Sequence, residues 1–276
     1  MLYPVIMRSR FALIVLVLVS IALPDAPGAD PARAKRKRKG AKRASMVTIP
    51  AGSYRVTKPG GDTPSQIERV NIAAFKIDRQ EVSVAQYRRC VRSAKCSEPQ
   101  TGTYFSLAQR RQDFKQFCNW EHQGREDHPI NCIDREQARE YCAFVGKKLP
   151  TSAQWEAANY GGDSPQQRRS FAFGDKLGDG TRLCRDRKTQ RLGTCPTRRS
   201  DDDRTTHGVR DLASNVSEWT ATDACPGAVS KCRNPMAVIR GGNWYNSYAV
   251  AVGVKRARLV LPKTYDHILG FRCVSK

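Results

Sequence analysis

Three stretches of the chain pair a helix-capping sequence with apolar residues at helical spacing. In each, a Ser, Thr or Asp is followed three residues later by Gln, so the two side chains can bond each other's backbone N–H groups. The pairs are Ser83–Gln86, Asp134–Gln137 and Thr151–Gln154. Gly146 and Gly161 follow the second and third stretches, as glycine usually does just past a helix end. Three helices are therefore predicted, each beginning next to its cap.

Short apolar runs elsewhere predict strands. The runs are 46–49, 69–77, 238–240 and 270–274. The sequence between them is long and irregular, which is unusual for a compact domain unless covalent cross-links hold it. The pattern indicates a single loop-rich α+β domain over residues 46–276, with no internal repeat.

Ten cysteines can supply those cross-links. All of them follow residue 89 and none forms a C-x-x-C pair, so disulfides in an oxidising compartment are favoured over free thiols. Pairing by proximity along the chain gives one arrangement among the about 945 that ten cysteines allow. It consists of Cys90–Cys96, Cys118–Cys132, Cys184–Cys195, Cys225–Cys232 and Cys142–Cys273. On this reasoning alone the connectivity stays open.

The N-terminal residues agree with export. Arg8 and Arg10 precede an apolar run from Phe11 to Leu23, and small residues follow it. The run is shorter than the roughly 20 residues of a transmembrane helix. Residues 1–29 are therefore predicted to be a secretory signal peptide, with an uncleaved N-terminal anchor as the alternative. The predicted location is periplasmic, cell-surface or extracellular.

Residues 30–45 are predicted to be a disordered basic linker, since they contain eight Lys and Arg with little apolar material to collapse around. The whole chain has 48 Lys+Arg against 26 Asp+Glu, for a net charge of +22. Residues 46–276 alone keep a net charge of +14. The linker is expected either to be a solvated spacer or to bind an anionic surface such as lipid head groups, lipopolysaccharide or nucleic acid. No specific nucleic-acid recognition is predicted.

Several separated motifs then occur in a familiar order. They are FKIDRQEVS at 75–83, HPI at 128–130, GKKLPT at 146–151, GVRDLASNVSEW at 208–219, VIRGGNW at 238–244 and GFRC at 270–273. Together they resemble the formylglycine-generating enzyme (sulfatase-modifying factor) domain family over nearly all of residues 46–276. The resemblance implies a compact C-type-lectin-like fold and a bridge between Cys142 and Cys273. It also implies oxidation of a sulfatase cysteine to formylglycine, copper held by two cysteines, and structural calcium.

The resemblance fails at the copper ligands. The positions that match the family's copper-binding cysteines are Asn246 and Ala251, and no cysteine lies between Cys232 and Cys273. Asn243 also replaces the serine of the family's RGGSW-like motif. Because Cu(I) takes soft sulfur ligands, copper-dependent oxidation is not expected, and no catalytic residue is assigned.

The family's calcium-ligand positions match this sequence better than its copper-ligand positions do. The resemblance places Asp211, the carbonyls of Ser214 and Val216, and Glu218 at the family's ligand positions. Such an oxygen set suits a hard cation. The alternative is that Asp211 and Glu218 only make hydrogen bonds within the turn.

A ligand groove is the remaining candidate site. In the family the segment after RGG lines the substrate groove, and here aromatic and amide side chains suit a peptide or sugar. The candidate residues are Asn243, Trp244, Tyr245, Asn246, Tyr248 and Arg258. The alternative is that Trp244 belongs to the core and the tyrosines to the surface. Arg258 and Arg272 match family arginines that more often brace the fold.

Three functional hypotheses follow. The first is an exported, calcium-stabilised domain of this family without formylglycine oxidase activity, which binds a peptide, glycan or protein partner or acts as a scaffold. The second is a nonheme-metal oxidoreductase using the same groove, although the four histidines show no H-x-x-x-H spacing. The third is a polyanion-binding surface protein acting through the linker, with steep salt dependence.

Overall fold

The computed structural model describes residues 45–59, 67–100, 115–161, 183–184, 193–197, 203–245 and 257–276. The predicted signal peptide and nearly all of the linker fall outside these residues, as do Asn246, Tyr248 and Ala251. Residues 41–276 form one compact unit. Within the described ranges no helix is both long and apolar enough to cross a bilayer.

The three predicted helices are confirmed. They are α1 (Val84–Arg92), α2 (Arg135–Phe144) and α3 (Ser152–Tyr160). Each begins with a complete capping box: in the first, the Gln86 N–H donates to Ser83 Oγ at 3.3 Å and the Ser83 N–H donates to Gln86 Oε1 at 2.8 Å. Short 3₁₀ turns lie at Lys115–Phe117, Asn119–Glu121 and Pro226–Ala228.

Nine short strands form three sheets in the described part of the chain. They are β1 (Met46–Ile49), β2 (Gly52–Thr57), β3 (Ile67–Ile72), β4 (Phe75–Asp78), β5 (Ser217–Ala224), β6 (Met236–Arg240), β7 (Arg258–Val260), β8 (Leu269–Gly270) and β9 (Val274–Ser275). The sheets have the orders β1-β4-β9, β2-β3 and β7-β6-β5-β8. All pairs are antiparallel except β5 with β8.

Two strand predictions need correction. The predicted strand 69–77 is two strands, because β3 pairs with β2 whereas β4 pairs with β1, and the chain changes sheets at residues 73–74. The predicted run 270–274 is likewise divided between β8 and β9. Strands β2, β5 and β7 were not predicted, because β2 and β5 contain several polar residues and β7 is only three residues long.

The core is aromatic and cross-linked. Tyr87, Tyr141 and Phe271 pack together with Trp219 in one buried cluster, while Trp155 and Ile77 belong to a second. Five disulfides form, and their pairs are those obtained from proximity along the sequence. The bridge between Cys142 and Cys273 joins α2 to the C-terminal end of the chain across 131 residues. The predicted fold class, a disulfide-linked α+β domain, is confirmed.

Candidate functional site

A fully buried ion pair stands at the centre of the domain. The Arg272 Nη2 donates to Glu218 Oε1 at 2.6 Å, and Nε lies 2.9 and 2.8 Å from Oε1 and Oε2. The Trp155 Nε1–H donates to Oε2 of the same carboxylate at 2.8 Å. Both charged side chains are 0% exposed. The pair joins the GFRC motif near the C-terminus to β5 and α3.

The remaining donors of Arg272 tie together distant loops. Nη1 lies 3.1 and 3.2 Å from the carbonyl oxygens of Asp78 and Arg79, just at the end of β4. Nη2 also donates to the carbonyl oxygen of Arg210 at 2.7 Å. A single guanidinium therefore fixes the end of β4, the loop before β5, and β5 itself.

Three further buried carboxylates surround this pair. Glu81 accepts from Asn215 Nδ2 at 2.8 Å and from the Val216 N–H at 3.3 Å. Asp203 accepts from the Ala213 N–H at 2.9 Å and from Ser214 Oγ at 2.7 Å. Asp211 lies beside them, and its Oδ2 is buried with no hydrogen-bond partner among the described residues. We call Glu81, Asp203, Asp211 and Glu218 the carboxylate cluster.

Burial, together with neighbouring negative charge, raises the pKa of three members of the cluster, Glu81, Asp203 and Asp211. Burial, with repulsion from Asp211, raises the pKa of Glu81 well above its usual range. Burial and the charge of Asp203 do the same to the pKa of Asp211. Burial raises the pKa of Asp203 to about 6, although hydrogen bonds from Ser214 and Ala213 oppose the shift. The charge of Arg272, with that of Arg210 near Asp211, does not offset the burial of these carboxylates.

The cluster fits the predicted calcium site only in part. Both oxygens of Glu218 accept hydrogen bonds from Arg272 or Trp155, so this carboxylate faces a guanidinium rather than an open cation position. Asp211 fits better, because a buried carboxylate oxygen without a donor is a natural cation ligand. The described residues contain no group of three or more His, Cys, Asp or Glu arranged around a metal position. Calcium stays a prediction, with Asp211 and nearby carbonyls as its ligands.

The predicted groove begins with buried residues. Asn243 is 0% exposed, its Nδ2 lies 3.0 Å from Ser217 Oγ, and its Oδ1 accepts from the Tyr245 N–H at 3.1 Å. Trp244 is 2% exposed. Its ring lies 5.1 Å from Phe117 and 5.3 Å from His267, and it packs against the Cys184–Cys195 bridge. Trp244 therefore belongs to the core, as the alternative interpretation of this segment predicted, and Asn243 is buried beside it.

Two groove residues reach the surface. Tyr245 is half-buried, with its ring 5.6 Å from Trp244 in a T-shaped contact. Arg258, at the start of β7, is an exposed residue, but its guanidinium donates to the buried Ser217 hydroxyl, and burial lowers the pKa of this guanidinium. The structure therefore brings Asn243 and Arg258 together on Ser217.

Asn215 connects several parts of the site by hydrogen bonds and was not predicted from the sequence. Its backbone N–H donates to the carbonyl of Cys184 and its Oδ1 accepts from the Cys195 N–H, both at 2.9 Å. Its own carbonyl accepts from the Trp244 N–H at 2.8 Å. With Nδ2 on Glu81, it links the disulfide, the groove and the carboxylate cluster. Its φ of +64° is a left-handed conformation in which Asn is enriched, which is the available sequence signal.

Comparison with known proteins identifies the family. A model of the sulfatase-modifying factor enzyme 1-like domain matches residues 31–276, so the chain belongs to this family. It is 32% identical over 165 residues to the formylglycine-generating enzyme of Bos taurus, covering 48% of this chain and 43% of that protein. It is 30% identical over 167 residues to the inactive C-alpha-formylglycine-generating enzyme 2 of Bos taurus, covering 53% and 50%. The chain thus spans about half the length of these curated relatives.

Solved structures share the fold. PvdO from Pseudomonas aeruginosa superposes with a TM-score of 0.60 at 20% identity, covering 83% of this chain and 93% of that chain. CarF superposes with a TM-score of 0.59 at 17% identity, covering 84% and 98%. At these identities the likeness establishes the fold alone.

Proposed function

We propose that this protein is an exported member of the family that lacks formylglycine oxidase activity and binds a peptide, glycan or protein partner. One observation carries the proposal: all ten cysteines are paired in disulfides, and none is free. Cu(I) requires thiolate or thioether sulfur, so the family's copper chemistry has no ligand pair to use. The residues present do not fit copper.

A related protein also supports the proposed loss of oxidase activity. One of the matched proteins is named an inactive formylglycine-generating enzyme, so loss of the activity has a precedent within the family. The groove positions that match the copper ligands, Asn246 and Ala251, lie outside the described residues, but neither can supply sulfur.

The described groove residues favour a binding role. Asn243 and Trp244 are held by Ser217, Asn215 and the Cys184–Cys195 bridge, whereas Tyr245 is half-buried and contacts the Trp244 ring. A half-buried aromatic ring on a fixed support suits a ligand that stacks against it. We therefore expect Tyr245→Ala to abolish ligand binding in a peptide and glycan array. Phe144→Ala, which removes an exposed ring on α2, is the matched control.

The loss of oxidase activity is tested directly with a sulfatase-derived cysteine peptide. The full chain is incubated with Cu(I), oxygen and the peptide, and conversion of the thiol to an aldehyde is followed by mass spectrometry. We expect no aldehyde and no stoichiometric Cu(I) binding. The matched variant N246C/A251C restores sulfur at both positions and is expected to gain Cu(I) binding.

Aldehyde formation by the unmodified chain would overturn this part of the proposal. A stoichiometric iron signal, with oxygen uptake in the presence of a substrate, would favour the nonheme-metal oxidoreductase instead. If neither Tyr245→Ala nor Phe144→Ala changes the array pattern, the ligand does not use the groove.

A further inference from the structure

Arg125 is a half-buried cation that has no carboxylate partner among the described residues. Burial lowers the pKa of its guanidinium, and no charged neighbour in the described part of the chain opposes that shift. Glu126 and Asp127 follow it in sequence, but both are exposed and neither forms an ion pair with it. The buried arginines instead face carboxylates: Arg135 with Asp223, Arg240 with Glu156, and Arg272 with Glu218. A partly desolvated guanidinium without such a partner favours the binding of an anion.

A buried amide fixes the position of this guanidinium. Arg125 Nη1 donates to Asn119 Oδ1 at 2.9 Å, and Asn119 is 0% exposed. The Asn119 Nδ2 donates at 2.8 Å both to the carbonyl oxygen of Pro129 and to Thr194 Oγ1. The Asn119 backbone N–H in turn donates to Asn131 Oδ1 at 2.7 Å. Because both amide hydrogens are used, Asn119 presents its oxygen to Arg125, and the guanidinium is held in place before any ligand arrives.

These contacts leave one edge of the guanidinium open. A Cβ added to Gly193 would lie 3.6 and 3.7 Å from Nη1 and Nη2, so Gly193 packs beside that end of the group. Asn119 occupies Nη1 as well. The Nε and Nη2 of Arg125 make no hydrogen bond within the described ranges, and both are accessible to solvent. The open edge is therefore the one that Nε and Nη2 form.

The same edge of another arginine holds a carboxylate in this protein. Arg272 uses these two nitrogens on Glu218, with Nε 2.8 Å from Oε2 and Nη2 2.6 Å from Oε1. Two parallel N–H donors match the two oxygens of a carboxylate. One guanidinium also balances the single charge of a carboxylate, whereas a phosphate dianion would keep a negative charge. A carboxylate is thus the anion that Arg125 matches best.

We propose that Arg125 binds the carboxylate group of a ligand through Nε and Nη2. The site lies on the segment that also supports the groove, because Thr194 precedes Cys195, whose disulfide packs against Trp244. An acidic peptide side chain and an acidic sugar share this carboxylate chemistry. Carboxylate binding at Arg125 does not depend on ligand binding in the groove or on the loss of oxidase activity, so either can fail without the other.

Nuclear magnetic resonance of the ¹⁵N-labelled full chain tests the site directly. Sodium acetate is the probe, and sodium chloride at equal ionic strength is the comparison. The Arg125 Nε–H resonance reports on the donor itself, and the backbone N–H resonances of Gly193 and Thr194 report on binding in every variant. Arg125→Lys keeps the charge but removes the paired donors. Arg233→Lys, at an exposed position between β5 and β6, is the matched control.

We expect acetate to shift the Arg125 Nε–H resonance to saturation, and Arg125→Lys to weaken acetate binding at least about tenfold. Arg233→Lys should leave the affinity unchanged. An acetyl-capped glutamate that binds more tightly than acetate would support the site and identify a peptide as the source of the carboxylate. Glucuronate that does so would identify a sugar.

Three results would overturn the proposal. The first is an Arg125 shift that does not saturate or that chloride reproduces, and the second is unchanged acetate affinity in Arg125→Lys. The third is phosphate or sulfate binding at least about tenfold more tightly than acetate, which would make this a site for a dianion. Thermal melting under non-reducing conditions verifies that each variant is folded. The titration of the unmodified protein decides the matter if Arg125→Lys does not fold.

Discussion

Arg272 and Glu218 form a bidentate ion pair with both side chains at 0% exposure, and the two residues are 54 positions apart in sequence. Such a pair is expensive to bury, but breaking it by removing one partner costs more, since the other charge is left without compensation. The carbonyls of Asp78, Arg79 and Arg210 depend on the same guanidinium. The pair is therefore the central constraint on the loops that build the candidate site.

Arg272→Met is expected to destabilise the oxidised domain by about 3–5 kcal/mol, because it leaves the fully buried carboxylate of Glu218 without its cation. Urea unfolding under non-reducing conditions measures the change. Lys115→Met removes an exposed ion pair with Glu121 at 3.5 Å and is expected to cost less than about 1 kcal/mol. Similar unfolding free energies for the two variants would contradict the role given to Arg272.

The carboxylate cluster predicts an unusual pH dependence. The folded pKa of Asp203, about 6, exceeds the unfolded value of about 3.9, so between these values the folded state binds more protons. In metal-free buffer, stability should therefore fall as pH rises from about 4 to about 6, by on the order of 2–3 kcal/mol from this group. Glu81 and Asp211 shift in the same direction.

Asp203→Asn should flatten that dependence, since the amide cannot ionise but its oxygen can still accept from the Ala213 N–H. Unfolding midpoints measured across the acidic range, with chelator present, give the comparison. Glu136→Gln, at an exposed position on α2, is the control and should leave the profile unchanged. A D203N profile identical to that of the unmodified protein would reject the assignment.

Calcium should stabilise the domain through Asp211. Added calcium at a hundredfold excess over its Kd would contribute about 2.7 kcal/mol to the unfolding free energy. Asp211→Asn removes the carboxylate ligand and should abolish the calcium-dependent rise in melting temperature. It should not destabilise the metal-free protein, because it removes one ionisable group from the carboxylate cluster. A calcium response that survives D211N would place the ion elsewhere.

Local sequence predicted the helices, whereas the site depended on distant contacts. Ser83 and Gln86 lie within one turn, so the capping box could be recognised from sequence spacing alone. The pairing of Glu218 with Arg272 closes only when β5, β8 and the C-terminal segment have assembled, and no local pattern encodes it. Glu218 was accordingly predicted as a calcium ligand, and the structure places it against a guanidinium. The family motifs identified the segments that form the site, but not which side chains pair with each other within it.

A backbone conformation offers an independent test of the fold. Ala94 follows α1 with a φ of +50°, a left-handed conformation that costs alanine but not glycine. Ala94→Gly should therefore stabilise the protein by about 0.5–1 kcal/mol. Ala143→Gly, at an exposed position within α2, should destabilise it by a similar amount. Urea unfolding of both variants measures these changes in stability. Destabilisation by Ala94→Gly would contradict the left-handed conformation of Ala94.

The absence of free thiols is the central claim, and a thiol titration tests it most directly. The non-reduced full chain is alkylated in denaturant and analysed by intact mass spectrometry. The account predicts no modified cysteine, because all ten are held in five disulfides. Two reactive thiols in the oxidised protein would contradict it, since they would provide the sulfur pair that copper chemistry requires.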